Sequence, residues 1–132
     1  MERMFDEEDV IRVYVPPGWP GSVRPPGSPG WQSSAESFLL DSCPAEYRGY
    51  PVLRRHPVVL ARLAKEFLAS QLAATRSALA GVRTSLTGLV DTGTVDQTAA
   101  VLQQEEARLV RVARGVDLVD QALRDVRFVP RL

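Results

Sequence analysis

One cysteine (Cys43), one histidine (His56) and one lysine (Lys65) are all that the 132 residues contain of those types. A lone cysteine excludes an internal disulfide and a cysteine-built metal site, and a lone histidine excludes the usual histidine clusters. Aromatic residues make up only 7%, so the 45% hydrophobic content must build its core from aliphatic side chains, which suits packed helices. No apolar run approaches the ~18 residues of a membrane span, and the acidic opening from Glu2 to Asp9 lacks both the basic and the apolar region of a secretory signal. A cytoplasmic location with no membrane partner is therefore expected. Sixteen basic residues offset sixteen acidic ones, leaving no overall field to attract nucleic acid or an anionic bilayer. Phosphate loops, dinucleotide fingerprints, nucleophile elbows and metal-spaced ligand sets are also missing. Glu105 and Glu106, the one adjacent carboxylate pair in the helical region, project about 100° apart and cannot act as a dyad. The sequence predicts no enzyme, no cofactor and no metal.

What is present divides by composition near His56, beyond which only Pro57 and Pro130 of the ten prolines occur. Residues 1–34 form the first division: an acidic start, a β-branched run at Val10–Val15 expected as a short strand, and a Pro/Gly/Trp-rich arm where proline density forbids helix. The arm nearly repeats itself, Pro16-Pro17-Gly18-Trp19 being echoed by Pro25-Pro26-Gly27-Ser28-Pro29-Gly30-Trp31, and each copy brings one tryptophan. Such a segment can bind a partner as an extended ligand, with Arg24 adding charge, or fold back as a clasp; both uses need a groove. Residues 35–56 form the second division, with a short helix at Ala35–Leu40 capped by Ser33 or Ser34. An irregular docking stretch follows, anchored by Tyr47, Tyr50, Val52 and Leu53.

Residues 57–132 form the third division. Pro57 suits a first helical turn, and from there Leu68, Leu72, Thr75, Leu79, Val82, Leu86 and Leu89 recur in steps of four and three, a narrow seam for one partner helix. Asp91 to Thr94 break the pattern, with Gly93 as the stop and Thr94 and Gln97 as a capping box. A second helix then carries Leu102, Leu109, Val112, Val116, Val119, Leu123 and Val126 at the same spacing, broken only by Glu105 at one d place. So short a connection makes the helices antiparallel neighbours, each roughly 50 Å long. Arg62, Arg76 and Arg83 on the first helix face Glu106 and Asp120 on the second in that arrangement. The expected fold is all-α: a long antiparallel, coiled-coil-like helical hairpin with an extended Pro/Gly-rich N-terminal arm, one short strand and one short helix.

Residues outside the seam suggest what else the hairpin touches. Val59, Leu60, Leu63 and Phe67 form a second stripe, expected to dock residues 35–56. Further along, alanines and serines with Gly81 and Gly88 leave a face without bulk, where another backbone could approach closely; a homodimer forming a four-helix bundle would bury it. Arg108, Arg111 and Arg114, with Arg54 and Arg55, make the one basic cluster. Interleaved acids and the lack of stacking aromatics disfavour nucleic acid there. The resulting expectation is a non-catalytic protein–protein interaction or scaffold module that self-associates through its hairpin. The alternative is a regulatory accessory factor that holds a signalling or nucleic-acid-binding protein through the arginines. The candidate partner-binding residues are Trp19, Arg24, Trp31, Gly81, Gly88, Arg108, Arg111 and Arg114.

Overall fold

The structure, a computed structural model, describes residues 13–130. The acidic opening and the first three residues of the expected strand lie outside that range; Val13–Val15 lie inside it and form no strand. Proline followed by glycine then shapes the arm three times. Trp19 N–H donates to Pro16 O, Ser28 N–H to Pro25 O and Trp31 N–H to Ser28 O, each at 3.1 Å. The glycine inside each turn, Gly18, Gly27 or Gly30, has φ between +78° and +97°, the left-handed third corner of a type II turn that disfavours a β-carbon. The near-repeat in the sequence is thus a repeated turn.

The last of these turns launches α1 (Trp31–Asp41), four residues before the expected start. Gly30 occupies the N-cap position and no side chain caps the helix. Ser34 is not a cap but a cross-link: its Oγ accepts the Arg24 backbone N–H at 3.0 Å and donates to Trp31 O at 2.8 Å. The stretch expected to be irregular instead contains a 3₁₀ turn (Ala45–Gly49) and a short helix α2 (Pro51–Arg55). Pro44 and Pro51 sit where a missing N–H is harmless, so they begin these turns rather than prevent them.

Two long helices complete the chain, α3 (Pro57–Leu86) and α4 (Thr92–Leu123), packed closely against each other as a helical hairpin. Their 30 and 32 residues correspond to about 45 and 48 Å. The turn lies three residues earlier than its sequence signals suggest. Gly88, at φ +83°, follows the end of α3, while Gly93 falls inside the first turn of α4. Asp91, rather than Thr94, is the cap, its Oδ1 accepting the Thr94 N–H at 2.7 Å; a carboxylate at this position also meets the positive end of the helix dipole. The expected charge rungs are present, with Arg62–Asp120 at 3.7 Å and Arg76–Glu106 at 2.7 Å, and three more pairs join them: Lys65–Asp117 at 3.2 Å, Lys65–Asp120 at 3.4 Å and Arg83–Asp96 at 2.8 Å.

Burial separates the hairpin into a covered base and an uncovered tip. At the base, α1 lies on α3, and Leu39, Leu40 and Leu53 join Leu60, Leu109 and Val116 in one core. The contact uses Ala61 and Ala64, both fully buried, and not the larger Val59 and Leu63, which remain 44% and 37% exposed. Alanine lets the helices approach closely; of the expected stripe Leu60 joins the core and Phe67 shares a cleft with Phe38, while Val59 and Leu63, with Tyr50 and Val52, are left at the surface. Beyond Leu68 the only buried residue of α3 is Val82, and before Leu109 the only one of α4 is Val95.

Helix α4 ends in a Schellman motif: Asp125 N–H donates to Ala122 O and Val126 N–H to Gln121 O, both at 3.0 Å. The left-handed position at φ +66° is held by Asp125, where glycine is the usual occupant. Asp125→Gly should raise the unfolding free energy by about 1 kcal/mol, read from urea denaturation with an unchanged m-value.

Candidate interaction site

The arm, which the sequence leaves free to act as ligand or clasp, packs as a clasp. Trp19 Nε1 donates to Val23 O at 2.8 Å, closing a local loop. Its ring lies 6.4 Å from that of Trp31 and meets Phe128, from the tail after α4, edge-on at 5.9 Å. Beside Trp19 the arm runs across α4 at a glycine. A β-carbon at Gly115 would come within 2.9 Å of Pro20 Cγ and 3.2 Å of Phe38 Cζ, so the absent side chain is the space the arm and α1 occupy. One residue earlier on α4, Arg114 lies across Gly18, its Cγ 2.9 Å and its Nε 3.1 Å from where a β-carbon there would stand.

These contacts leave a cleft of about 620 Å³ between the arm and one side of α4, with Trp19, Pro20, Phe38, Val110, Arg111 and Arg114 among its lining residues. Three of the candidate residues, Trp19, Arg111 and Arg114, therefore meet in one place although nearly a hundred positions separate them. Val110 is 45% exposed within it. Neither Arg111 nor Arg114 forms an ion pair with a carboxylate among the described residues, and both side chains are exposed. Arg108, one turn away, is committed elsewhere: its Nε and Nη2 donate to the two carboxylate oxygens of Glu105 at 2.9 and 2.6 Å. That fork holds the Glu105 carboxyl below the usual carboxylate range.

The remaining candidates lie apart. Trp31 opens α1 and packs against the core. Arg24 runs beside Gly30 and fastens its own backbone to Ser34. Gly81 and Gly88 are on the tip, with open space among the described residues where a β-carbon would project; Gly88 lies beyond the end of α3, not on the helical face expected for it, and its φ of +83° makes it a turn glycine. The five-arginine cluster is not one surface made of free charges, since Arg54 pairs with Glu36 at 2.8 Å. Sequence reasoning missed Gly115, Phe38 and Phe128 as parts of the site. The signal for Gly115 was available, because a glycine in a helix interior costs about 1 kcal/mol relative to alanine and implies a packing reason.

A second cleft, of about 260 Å³, lies where α1 crosses the hairpin and includes Phe38, Phe67, Cys43 and Arg108 in its lining. Cys43 is buried, and burial pushes its thiol up to about 11, with the Arg48 charge pulling weakly the other way. This is the reverse of an activated nucleophile, which needs a lowered thiol pKa. Among the described residues no group of His, Cys, Asp or Glu is placed to hold a metal ion, and no helix is long and apolar enough to cross a membrane. Comparison with protein families, curated proteins and solved structures returns no match, so what the site can do rests on its geometry. That geometry defines an all-α helical-hairpin protein whose arm lies against α4 beside an apolar cleft rimmed by Arg111 and Arg114.

Gly115→Ala should lower stability by about 1–3 kcal/mol through displacement of Pro20 and Phe38, even though alanine favours the helix; loss of the near-ultraviolet tryptophan signal would locate the damage in the arm. The thiol gives a pH test. The unfolded chain releases the Cys43 proton near its ordinary value of 9.0 and the folded chain only near 11, so native stability falls as pH rises across that interval. Melting temperatures of wild type and Cys43→Ala should differ by a constant packing offset below that interval, and through it the wild type should fall relative to the variant.

Proposed function

We propose that this chain is a non-catalytic protein–protein interaction module that self-associates through the tip of its hairpin. The carrying observation is the tip itself, where α3 after Leu68 and α4 before Leu109 cover one another and are covered by nothing else among the described residues. Two helices joined along one seam bury one stripe each, and an isolated pair of this kind is marginal without further packing. The outward face is suited to a second copy. It presents Ala73, Ala74, Ser77 and Ala78 on α3 and Val101 on α4, the last 60% exposed.

Charge does not oppose the pairing. Residues 69–108 hold three arginines against four carboxylates, and Arg76 and Arg83 are already paired across the hairpin. A projection of about 26 Å, two helices wide, can bury on the order of 1,000 Å² in a symmetric dimer, near the lower limit for a specific interface. The self-association is accordingly expected to be reversible and concentration-dependent.

Light scattering on the concentrated full chain should give twice its 14.5 kDa mass. Ala74→Arg with Ala78→Arg places two charges on the exposed face without lowering helix propensity, and should return the mass to that of a single chain with the far-ultraviolet spectrum unchanged. A wild-type chain that stays monomeric at high concentration rejects the proposal.

A further inference from the structure

We propose that the cleft between the arm and α4 binds an acidic linear peptide, taking one aromatic or large aliphatic side chain between Trp19 and Val110 and a nearby carboxylate on Arg111 and Arg114. This site lies at the base of the hairpin and does not depend on self-association at the tip.

The inference starts from an asymmetry of charge. Every other arginine on α3 or α4 has a carboxylate, Arg62, Arg76, Arg83 and Arg108 all being paired, as is Arg124 at the C-cap of α4. Arg111 and Arg114, three residues apart on α4, are the two that line an open cleft and form no ion pair among the described residues. A guanidinium is a fixed fork for a carboxylate, and two of them beside an apolar floor complement an anionic group carried next to an apolar one. The stem of Arg114 lies against Gly18, so one of the two charges is already positioned by the arm.

The floor supplies the other half. Trp19, Pro20, Phe38 and Val110 offer apolar surface, and the volume of about 620 Å³ exceeds what one side chain fills. Spacing favours a peptide in extended form. Val110 and Arg114 are four residues apart, about 6 Å along the helix axis, and residues two apart in an extended chain lie about 7 Å apart on the same side. The fitting ligand has a bulky apolar residue with Asp or Glu two positions away. Nucleic acid fits less well: two cations give little counterion release, and Trp19 is already packed against Trp31 and Phe128 instead of standing free to stack.

The probe is a blocked peptide, Gly-Ser-Phe-Asp-Glu-Asp-Ser-Gly, titrated into the full-length chain by calorimetry and by tryptophan fluorescence. Saturable binding that weakens on adding salt is expected. Replacing the peptide's Phe by Ala, or introducing Arg111→Glu in the protein, should each weaken it by about tenfold or more. Arg111→Glu is the primary variant because Arg111 makes no ion pair among the described residues that its loss would break, while Arg114→Glu disturbs the arm and serves to confirm. The monomeric tip variant Ala74→Arg/Ala78→Arg should bind as wild type does, so failure here and failure of self-association are read separately. No saturable binding, equal binding of a Lys-for-acid peptide, or indifference to Arg111→Glu would each overturn the proposal. So would binding that emerges only after Asp6, Glu7 and Glu8 are changed to amides, which would give the cleft to the chain's own acidic opening.

Discussion

A fully buried carboxylate, Asp120, sets the register on which the other contacts depend. Its Oδ2 accepts from Lys65 Nζ at 3.4 Å and from Arg124 Nη2 at 3.1 Å, and Arg62 Nε approaches Oδ1 at 3.7 Å. Oδ1 has no hydrogen bond among the described residues. A charge withdrawn from water is tolerated where opposite charges meet it, and removing its partners typically costs about 3–5 kcal/mol. Sliding α4 by one turn would carry Asp120 about 5 Å from Lys65 and leave it buried with Arg124, its neighbour at the end of the same helix, as the one counter-charge that moves with it. Leucine and valine rows accept such a slip far more readily, because one aliphatic knob resembles the next. The ion cluster thus selects one alignment of two otherwise permissive helices.

Once α3 and α4 are aligned, the division between base and tip follows from what can approach each surface. Ala61 and Ala64 let α1 settle onto α3, and Gly115 lets the arm and Phe38 settle onto α4. Small residues therefore serve intramolecular packing at the base. Those on the tip are exposed among the described residues, although their composition is similar. The same residue types have different meanings at the two ends because the described segments before Pro57 pack on the base.

The cleft exists because a turn-rich arm was returned to the helix that ends the chain. Gly18, Gly27 and Gly30 allow the type II turns that bend the arm, and Trp19 is then held from three sides by Val23 O, Trp31 and Phe128. Holding the ring in place puts it in one cleft with Val110, Arg111 and Arg114. Each of those residues is unremarkable when considered with its sequence neighbours.

Periodicity alone determined the hairpin, its antiparallel sense and its charge rungs, since heptad spacing and a short connection leave a chain few alternatives. The arm's turns were also legible, as proline and glycine restrict φ locally. The N-cap was misplaced by three residues and the stop glycine by five because Asp91 and Thr94, and Gly88 and Gly93, carry similar local signals, and only the helix packing chooses between them. Tertiary structure decided the rest: that Leu60, Ala61 and Ala64 face α1 while Val59 and Leu63 face solvent, that Asp120 is buried, and that Trp19 joins Arg111 and Arg114. Those outcomes depend on contacts between residues far apart in the chain, whose energies no local pattern contains.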